Sequence, residues 1–253
     1  NVGEATVSFQ AGMMDEERLA SSLKHARNVI VCAGFNSSTE GEGFDRPFAL
    51  SYGQEYLINK VASLHDNVAV VVNAGGGIDF RNWGQSVQAI LMAWYPGQEG
   101  GNAIADVLFG DYNPSGRLPI SVPRSVGQIP VYYNKKAPRN HDYVEMSSFP
   151  LYSFGYGMSY TTFEYSDLQV VQKSARCFEV SFKVKNTGKY DGEEVSQLYM
   201  RDEYASVVQP MKQLKHFERF HLKKGEEKKV TFVLTEEDRS EERTSELQSP
   251  RAI

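Results

Sequence analysis

The sequence predicts an α/β domain of mostly parallel strands, followed by an immunoglobulin-like β-sandwich. In residues 1–130, helical and strand-like patterns alternate along the chain, which is typical of parallel strands joined by crossover helices. From Ser166 onwards, apolar residues recur at every second position, which is typical of strands with one buried face. The change of period therefore predicts two domains of different class, joined by a connector at 131–165.

The elements of the first domain follow in a regular order. Asp15 is suited to cap the first helix, because its side chain can accept a hydrogen bond from a backbone amide of the first turn. The second helix is predicted because Leu57, Val61 and Leu64 recur at helical spacing. The unbroken run VAVVVNA predicts a strand buried on both faces. Helices are predicted at 15–27, 54–65 and 97–109, and strands at 29–35, 68–74 and 89–95.

The second domain is predicted at 166–238. Its strands are separated by turn sequences such as NTGKYDG and KKGEE. We count about five strands, whereas an immunoglobulin-like sandwich has about seven, so this sandwich is predicted to be incomplete. The clearest strands are expected at 178–188, 193–201, 216–222 and 228–234.

The last segment, residues 239–253, has a different character and shows no apolar periodicity. Its sequence RSEERTSELQS differs by one residue from the in-frame translation of a common short-read sequencing adapter. We therefore predict a non-native tail, with the natural sequence continuing differently after about Asp238. The alternative is an ordinary polar terminus.

Composition and charge exclude several classes of function. The chain has 253 residues, of which 41% are hydrophobic and 23% charged, as in a globular protein with an ample core. Its net charge of -5 and its pI near 5.6 provide no basic surface for nucleic acid or anionic lipid. No apolar run approaches the ~20 residues that span a bilayer. The first residues, NVGEATVSFQ, show no signal peptide.

The histidines and cysteines predict neither a metal site nor a cofactor. The histidines are scattered, without the spacing of metal ligands. Cys32 and Cys177 lie in strand-like runs of separate domains, which favours two buried thiols over one disulfide. The redox compartment therefore stays open.

The acidic loop, residues 38–47 with the sequence STEGEGFDRP, is the strongest candidate for chemistry. It follows the first predicted strand and carries Glu40 and Glu42 between glycines. A carboxyl group at the end of a strand, in a loop that can approach a ligand, is a common arrangement for acid–base chemistry on an α/β sheet. The alternative is a solvated loop without function, because most surface carboxylates have none.

A glycine-rich segment, NAGGGID at 73–79, follows the second strand. Its spacing is not that of a dinucleotide-binding turn, so no phosphate site is predicted. We expect these glycines to let the chain turn sharply at the strand end.

Four sequence blocks carry a resemblance to a known family. The first is the acidic loop, and the second is AWYPGQEGGNAIADVLFGDYNPSGRLPISVP at 93–123. The third is PLYSFGYGMSYTTFEYSDL at 150–168, and the fourth comprises NTGKYDGEEVSQLYMRD and QLKHFERFHLKKGEEKKVTF. Together they resemble the C-terminal part of glycoside hydrolase family 3 enzymes of the β-glucosidase or β-xylosidase type, over nearly all of residues 29–235.

The resemblance implies a retaining glycosidase of three parts. These are a (β/α)8 barrel with an aspartate nucleophile, an α/β sandwich domain with the acid/base residue, and a fibronectin type III-like domain. This chain resembles the last two, and no residues similar to the barrel or its nucleophile motif are present. The chain is therefore expected to be catalytically incomplete by itself.

The same resemblance assigns the acid/base role to Glu42, which matches the family glutamate directly before the G-aromatic-D-R turn. Glu40 is the alternative, because the length of this loop varies in the family. Phe44, Asp45 and Arg46 are candidates for substrate binding. Phe44 would stack on a sugar ring or anchor the loop to the core. Asp45 and Arg46 would form an ion pair that shapes the loop, or contact the sugar.

Two functions are consistent with these observations. In the first, the chain is part of a retaining exo-acting β-glycosidase, most simply a β-glucosidase, that hydrolyses terminal non-reducing β-D-glycosyl residues. Its partners are then an oligosaccharide or an aryl or alkyl β-glycoside, and the missing barrel. In the second, the chain is a non-catalytic part for carbohydrate binding or assembly, but such a part has no need of a glutamate-rich loop. The resemblance also implies a periplasmic or secreted protein, while the sugar, the linkage and the oligomeric state stay open.

Overall fold

The computed structural model describes residues 15–136, 142–201 and 208–239. By their contacts these residues divide into two compact units. The first unit contains residues up to 104 together with 123–129, and the second contains 105–122 and the residues from 130 onwards. The predicted tail lies outside the described residues from position 240 onwards, and the domain boundaries expected from the sequence stay predictions.

The first unit is built on a parallel sheet of three strands in the order β1-β2-β3. Val29 pairs with Val68 across β1 and β2, and Ala69 pairs with Ala89 across β2 and β3. The elements in chain order are α1 Glu16–Leu23, β1 Val29–Gly34, α2 Tyr52–Leu64, β2 Val68–Asn73, β3 Ala89–Met92 and α3 Gly100–Phe109, and a short 3₁₀ helix follows at Val126–Gln128. The predicted α/β class with parallel strands is confirmed.

The core of the first unit centres on the middle strand. Val70 and Val72 of β2 are fully buried, as the unbroken apolar run predicts. On α2 the buried side chains are Ile58 and Val61, whereas Leu64 is 42% exposed. The helix forms as predicted, but Leu57, Val61 and Leu64 do not together form its buried face. Neighbouring positions on a helix differ by about 100° of rotation, and the apolar pattern fits either face.

The ends of two elements are fixed by specific side chains. Asp15 caps α1 as predicted, because its Oδ1 accepts a hydrogen bond of 3.0 Å from the Arg18 amide. At the end of β1, the Gln54 side chain accepts from the Gly34 amide at 2.7 Å and donates to the Gly34 carbonyl at 2.8 Å. Gly34 has a φ of 146°, and a Cβ there would lie 2.0 Å from the Asn73 carbonyl oxygen. Only glycine fits this approach of β1 to β2.

The second unit contains a β-sandwich. A sheet of order β4-β5-β8 and a pair β6-β7 are both antiparallel, and side chains from β5 to β8 form one buried cluster. The strands are β4 Phe163–Ser174, β5 Cys177–Asn186, β6 Gly192–Met200, β7 Gln213–Leu222 and β8 Glu227–Leu234, followed by α4 Glu236–Arg239. This part of the predicted fold is confirmed. Strand β4 gave a weak signal in the sequence because almost all of its side chains are exposed.

Both cysteines are free thiols, and neither is fully buried. Cys32 is exposed because it alternates along β1 with the buried Val31 and Ala33 and so points to the opposite face. Cys177 is half-buried. The expectation of two buried thiols is therefore wrong. Among the described residues, no helix combines the length and apolarity that a membrane crossing requires.

Candidate functional site

The candidate site lies where the three parallel strands of the first unit end. The acidic loop follows β1, the glycine-rich segment follows β2, and Tyr95 lies shortly after β3. Because the strands are parallel, their carboxyl ends lie at the same edge of the sheet. This edge is where open α/β sheets commonly bind ligands.

The entry to the acidic loop is held by its own polar side chains. The Asn36 Oδ1 atom accepts hydrogen bonds from the amide and hydroxyl of Ser38, at 3.0 and 2.6 Å. The Asn36 amide donates to the hydroxyl oxygen of Thr39 at 2.9 Å, and the Glu40 amide donates to the Asn36 carbonyl at 2.8 Å. These bonds replace strand pairing and start a compact turn as soon as β1 ends.

The tip of the loop is a tight turn of residues 41–44. Gly41 and Phe44 form an isolated antiparallel bridge, and Gly43 has a φ of 88°, which a glycine adopts without strain. The Phe44 ring lies over Gly41, where an added Cβ would come within 2.6 Å of it. Phe44 is nevertheless 50% exposed, so its ring covers the turn and does not anchor the loop in the core.

Glu42 stands at this tip and is exposed to solvent. Within the part of the chain that the structure describes, its carboxylate takes part in no hydrogen bond or ion pair. A carboxyl group in this state can approach a ligand and exchange a proton with it. The structure thus places Glu42 on an accessible turn at the carboxyl edge of the sheet.

Glu40 is held in a very different way, only two positions earlier. Its carboxylate forms an ion pair with Arg46 and accepts a hydrogen bond from the Tyr95 hydroxyl. It also accepts a bond of 2.9 Å from the Gly75 amide. Burial alone would raise the pKa of this carboxyl, but the bonds from Tyr95, Gly75 and Arg46 outweigh it and hold the pKa below its ordinary value. Glu40 is therefore kept ionised as an acceptor.

Arg46 makes its ion pair with Glu40, so the expected pair between Asp45 and Arg46 is wrong. The reason is geometric, since neighbouring residues in an extended segment point to opposite sides. Arg46 Nη1 donates to the Pro47 carbonyl at 3.1 Å and Nη2 donates to the Gly77 carbonyl at 2.9 Å. Asp45 is exposed.

The glycine-rich segment has a different purpose from the one expected. None of Gly75, Gly76 and Gly77 has a positive φ, so a special turn conformation does not require glycine there. A Cβ on Gly75 would lie 3.1 Å from Glu40 Oε1, and one on Gly76 would lie 3.1 Å from Arg46 Nη2. The glycines leave room for the ion pair of the acidic loop to pack against the end of β2.

Tyr95 is a site residue that the sequence analysis missed. Its ring is 56% exposed, while its hydroxyl donates to Glu40. Trp94, directly before it, has a φ of 55°, which is uncommon for a bulky residue and costs energy. This backbone conformation ends β3 earlier than expected and turns the chain towards the acidic loop. The one signal in the sequence is the position of Tyr95 at the carboxyl end of the predicted third strand.

The described residues contain no group of three or more His, Cys, Asp or Glu side chains that could hold a metal ion. The carboxyl groups of the acidic loop comprise the held Glu40 and the exposed Glu42 and Asp45. One free carboxyl group can give or take a proton.

Comparison with known proteins relates this chain to a family of enzymes. Residues 12–160 match the glycosyl hydrolase family 3 C-terminal domain, and residues 194–241 match a fibronectin type III-like domain. The chain is 42% identical over 238 residues to a periplasmic beta-glucosidase of Salmonella typhimurium, and 39% identical over 222 residues to a beta-xylosidase of Formosa agariphila. These alignments cover 88% and 85% of this chain, but 31% of each relative.

A solved structure shows the same relation. A beta-glucosidase from Listeria innocua, crystallised with glucose, is 33% identical and superposes with a TM-score of 0.84. The match covers 90% of this chain and 34% of the other. The chain thus spans about a third of the length of the proteins that it matches.

Proposed function

The chain belongs to glycoside hydrolase family 3, and from this premise we propose that it supplies the acid/base residue, Glu42, to a retaining exo-acting β-glycosidase. The substrate would be a terminal, non-reducing β-D-glycosyl residue, most simply glucose, in an oligosaccharide or an aryl or alkyl glycoside. Relatives named beta-glucosidase and beta-xylosidase support this class of substrate. The nucleophile would be an aspartate of a (β/α)8 barrel that these 253 residues do not contain.

One observation carries the assignment of Glu42 over Glu40. Glu42 is exposed on the tip of the loop and has no partner among the described residues, whereas both carboxylate oxygens of Glu40 accept hydrogen bonds. A general acid must carry a proton and reach the leaving oxygen. Glu40 would have to give up an arginine, a tyrosine and a backbone amide before it could do either.

The reaction explains why the donor belongs on an accessible loop. In a retaining glycosidase the nucleophile attacks the anomeric carbon, while the acid protonates the departing glycosidic oxygen. The same residue, now a carboxylate, then takes a proton from the water that hydrolyses the glycosyl-enzyme. The two carboxyl groups must stand about 5–5.5 Å apart. A turn that projects from one domain can meet a sugar bound in another and close over it.

The test compares substitutions of both glutamates in an enzyme that joins this chain to its barrel. We expect Glu42→Ala to lower kcat/KM by about 10²–10⁴-fold for alkyl glycosides, which need a proton on the leaving oxygen. Aryl glycosides with good leaving groups should be affected much less at the glycosylation step. Added azide should restore turnover and give a β-glycosyl azide, because it attacks the intermediate without a general base.

Two controls make this test decisive. The 253-residue chain alone should show no turnover of a chromogenic β-glucoside, because its nucleophile would lie elsewhere. Turnover at the rate of a whole enzyme would contradict the shared site. A glycosyl azide product from Glu40→Ala, but not from Glu42→Ala, would move the acid/base role to Glu40.

The proposal extends to the compartment. One relative is named a periplasmic beta-glucosidase, which supports a periplasmic or secreted location for the enzyme that contains this chain. Fractionation of the native organism, with an antibody against this chain, would test it. Recovery in the cytoplasmic fraction alone would contradict this location.

A further inference from the structure

We propose that Glu40, Arg46 and Tyr95 form a clamp that positions the acid/base turn, with Glu40 as its central residue. This inference rests on the proposed function, because the turn matters for catalysis only if Glu42 is the proton donor. The contacts of the clamp hold the loop whether or not the loop is catalytic, so they can be tested without measuring catalysis.

The carboxylate of Glu40 is the point where all parts of the clamp meet. Oε1 accepts from Arg46, and Oε2 accepts from the Gly75 amide and the Tyr95 hydroxyl. Glu40 thereby connects the loop after β1 to the ends of β2 and β3. Its side chain is only 16% exposed, and its ion pair with Arg46 is partly buried, whereas the bonds from Tyr95 and Gly75 lie nearer the surface. Bonds to a charged group are among the stronger hydrogen bonds of a protein.

Arg46 closes the other side of the turn. Its three guanidinium nitrogens are all used, by Glu40, by the Pro47 carbonyl and by the Gly77 carbonyl. Its guanidinium carbon lies 4.6 Å from the centre of the Phe35 ring, at the start of the loop. Residues 40 and 46 flank the turn that carries Glu42, so their ion pair fixes both ends of that turn.

The backbone next to Tyr95 adopts an energetically unfavourable conformation that fits this clamp. Trp94 adopts a φ of 55°, which a tryptophan takes only when the surrounding structure requires it, and the following residue is Tyr95. A Cβ on Gly75 would lie 3.0 Å from the Tyr95 ring as well as 3.1 Å from Glu40. Both features are explained if a tyrosine must reach Glu40 over the end of β2.

A loop that carries a proton donor must be exposed and must also hold the donor in position, and the clamp meets the second requirement. Glu42 must be exposed to meet a sugar, but a freely moving carboxyl group would seldom be in position to protonate it. The ion pair of residues 40 and 46 holds both ends of the short turn, and residues 41–45 lie between them. Glu40 is in this sense a positioning residue, and it makes no contact with the substrate in the proposed mechanism.

The first experiment measures amide hydrogen exchange in the 253-residue chain. Glu40→Ala should increase exchange of the Gly75 amide and of the amides at 39–44 by about tenfold or more, the scale of a lost hydrogen bond to a charged group. Glu42→Ala is the matched control, with the same charge removed from the same loop, and should change exchange less than about twofold. Tyr95→Phe, which removes one hydroxyl, should fall between them. The amides of β2 report whether each variant stays folded.

The second experiment separates positioning from proton transfer in the enzyme joined to its barrel. Glu40→Ala should lower kcat by about tenfold or more, with a smaller change in KM. The loss should be similar for good and poor leaving groups, and azide should not restore it. Glu40→Gln should recover part of the rate, because its amide oxygen can still accept from Gly75 and Tyr95.

The outcomes distinguish the two proposals. Unchanged exchange at Gly75 in Glu40→Ala would overturn the clamp, and so would azide rescue of that variant. Failure of azide rescue in Glu42→Ala, together with a loosened loop in Glu40→Ala, would contradict the proposed acid/base residue and support the clamp.

Discussion

Two regions of the molecule contain the same combination of a glutamate, an arginine and a tyrosine, but in different roles. In the first unit Glu40 pairs with Arg46 and accepts a bond from Tyr95. In the second unit Glu194 pairs with Arg117 at 2.6 Å and accepts a bond of 3.0 Å from Tyr165. Each set has three residues, and the two side chains of its ion pair are at most 16% exposed.

The two sets differ in how completely their hydrogen bonds are satisfied. All three nitrogens of Arg46 have partners, and two of these partners are backbone carbonyls of loops. In the second set, Arg117 Nη1 is buried without a hydrogen-bond partner among the described residues. The Tyr165 side chain is 49% exposed, but desolvation of its hydroxyl group, assisted by the neighbouring Glu194 charge, raises its pKa to about 12.

The comparison indicates which carboxyl groups fix the structure and which are free to react. A fully satisfied pair fixes one geometry, which suits a loop that must present a catalytic group. The partly satisfied pair joins Arg117, which lies outside the strands, to Glu194 of β6, and Tyr165 of β4 contacts the same carboxylate. In neither set is the carboxylate available for chemistry. Beside the first set, Glu42 and Asp45 are both exposed and have no partner among the described residues, and Glu42 is the candidate acid because it matches the family glutamate before the G-aromatic-D-R turn.

The largest expected effect is on the second set. Glu194→Ala should lower the free energy of unfolding by about 3–5 kcal/mol, because it leaves the buried charge of Arg117 without a partner. Glu236→Ala is the control, since its pair with Arg176 is much more exposed and should cost about 1 kcal/mol or less. Chemical denaturation followed by fluorescence measures both. Equal losses would mean that burial does not distinguish the two pairs.

A smaller effect is expected at the first set and should depend on pH. The pKa of Glu40 lies below its ordinary value of 4.5, so its stabilising contribution is complete above pH 4.5 and is lost as the pH falls through the lowered pKa. The difference in unfolding free energy between the wild type and Glu40→Gln should be about 1–3 kcal/mol at neutral pH. It should shrink steadily below pH 4.5. A difference that grows towards acid pH would contradict this sign.

The smallest effect is expected at the tip of the loop. Glu42→Ala should change the free energy of unfolding by no more than about 0.5 kcal/mol, because an exposed side chain without a partner among the described residues contributes little to stability. Thermal denaturation of this variant beside Glu40→Ala provides the measurement. A large loss of unfolding free energy in Glu42→Ala would show that Glu42 stabilises the loop, and Glu42 would then not differ from Glu40 in this respect.

The sequence was sufficient for the order and type of the main elements. Asp15 as a helix cap, the buried run of β2 and the alternating strands of the sandwich depend on local patterns, and local patterns are visible in one sequence. The acidic loop was also recognisable, because its residues are contiguous. The buried face of α2 was not, since apolar residues occupy adjacent positions and only packing chooses between them.

The internal arrangement of the candidate site depends on contacts between distant residues. Glu40 and Tyr95 are 55 positions apart, and they meet because parallel strands bring their ends together. The partner of Arg46 was misjudged because adjacency in sequence suggested Asp45. The role of Gly75 followed only when the carboxylate above it was known. Such relations arise from tertiary structure, and no spacing rule in a single chain contains them.

The bidentate contact of Gln54 with Gly34 has a consequence for how this family can vary. The Gln54 side chain binds both the amide and the carbonyl of Gly34, while the next residue, Phe35, still donates its amide to the Asn73 carbonyl of β2 at 2.9 Å, so the end of β1 is held from two directions. Insertions or deletions between Gly34 and Glu40 would therefore change the reach of the loop and leave the register of the sheet intact. A change in the reach of the acidic loop then requires only a few residues, without refolding the domain that supports them.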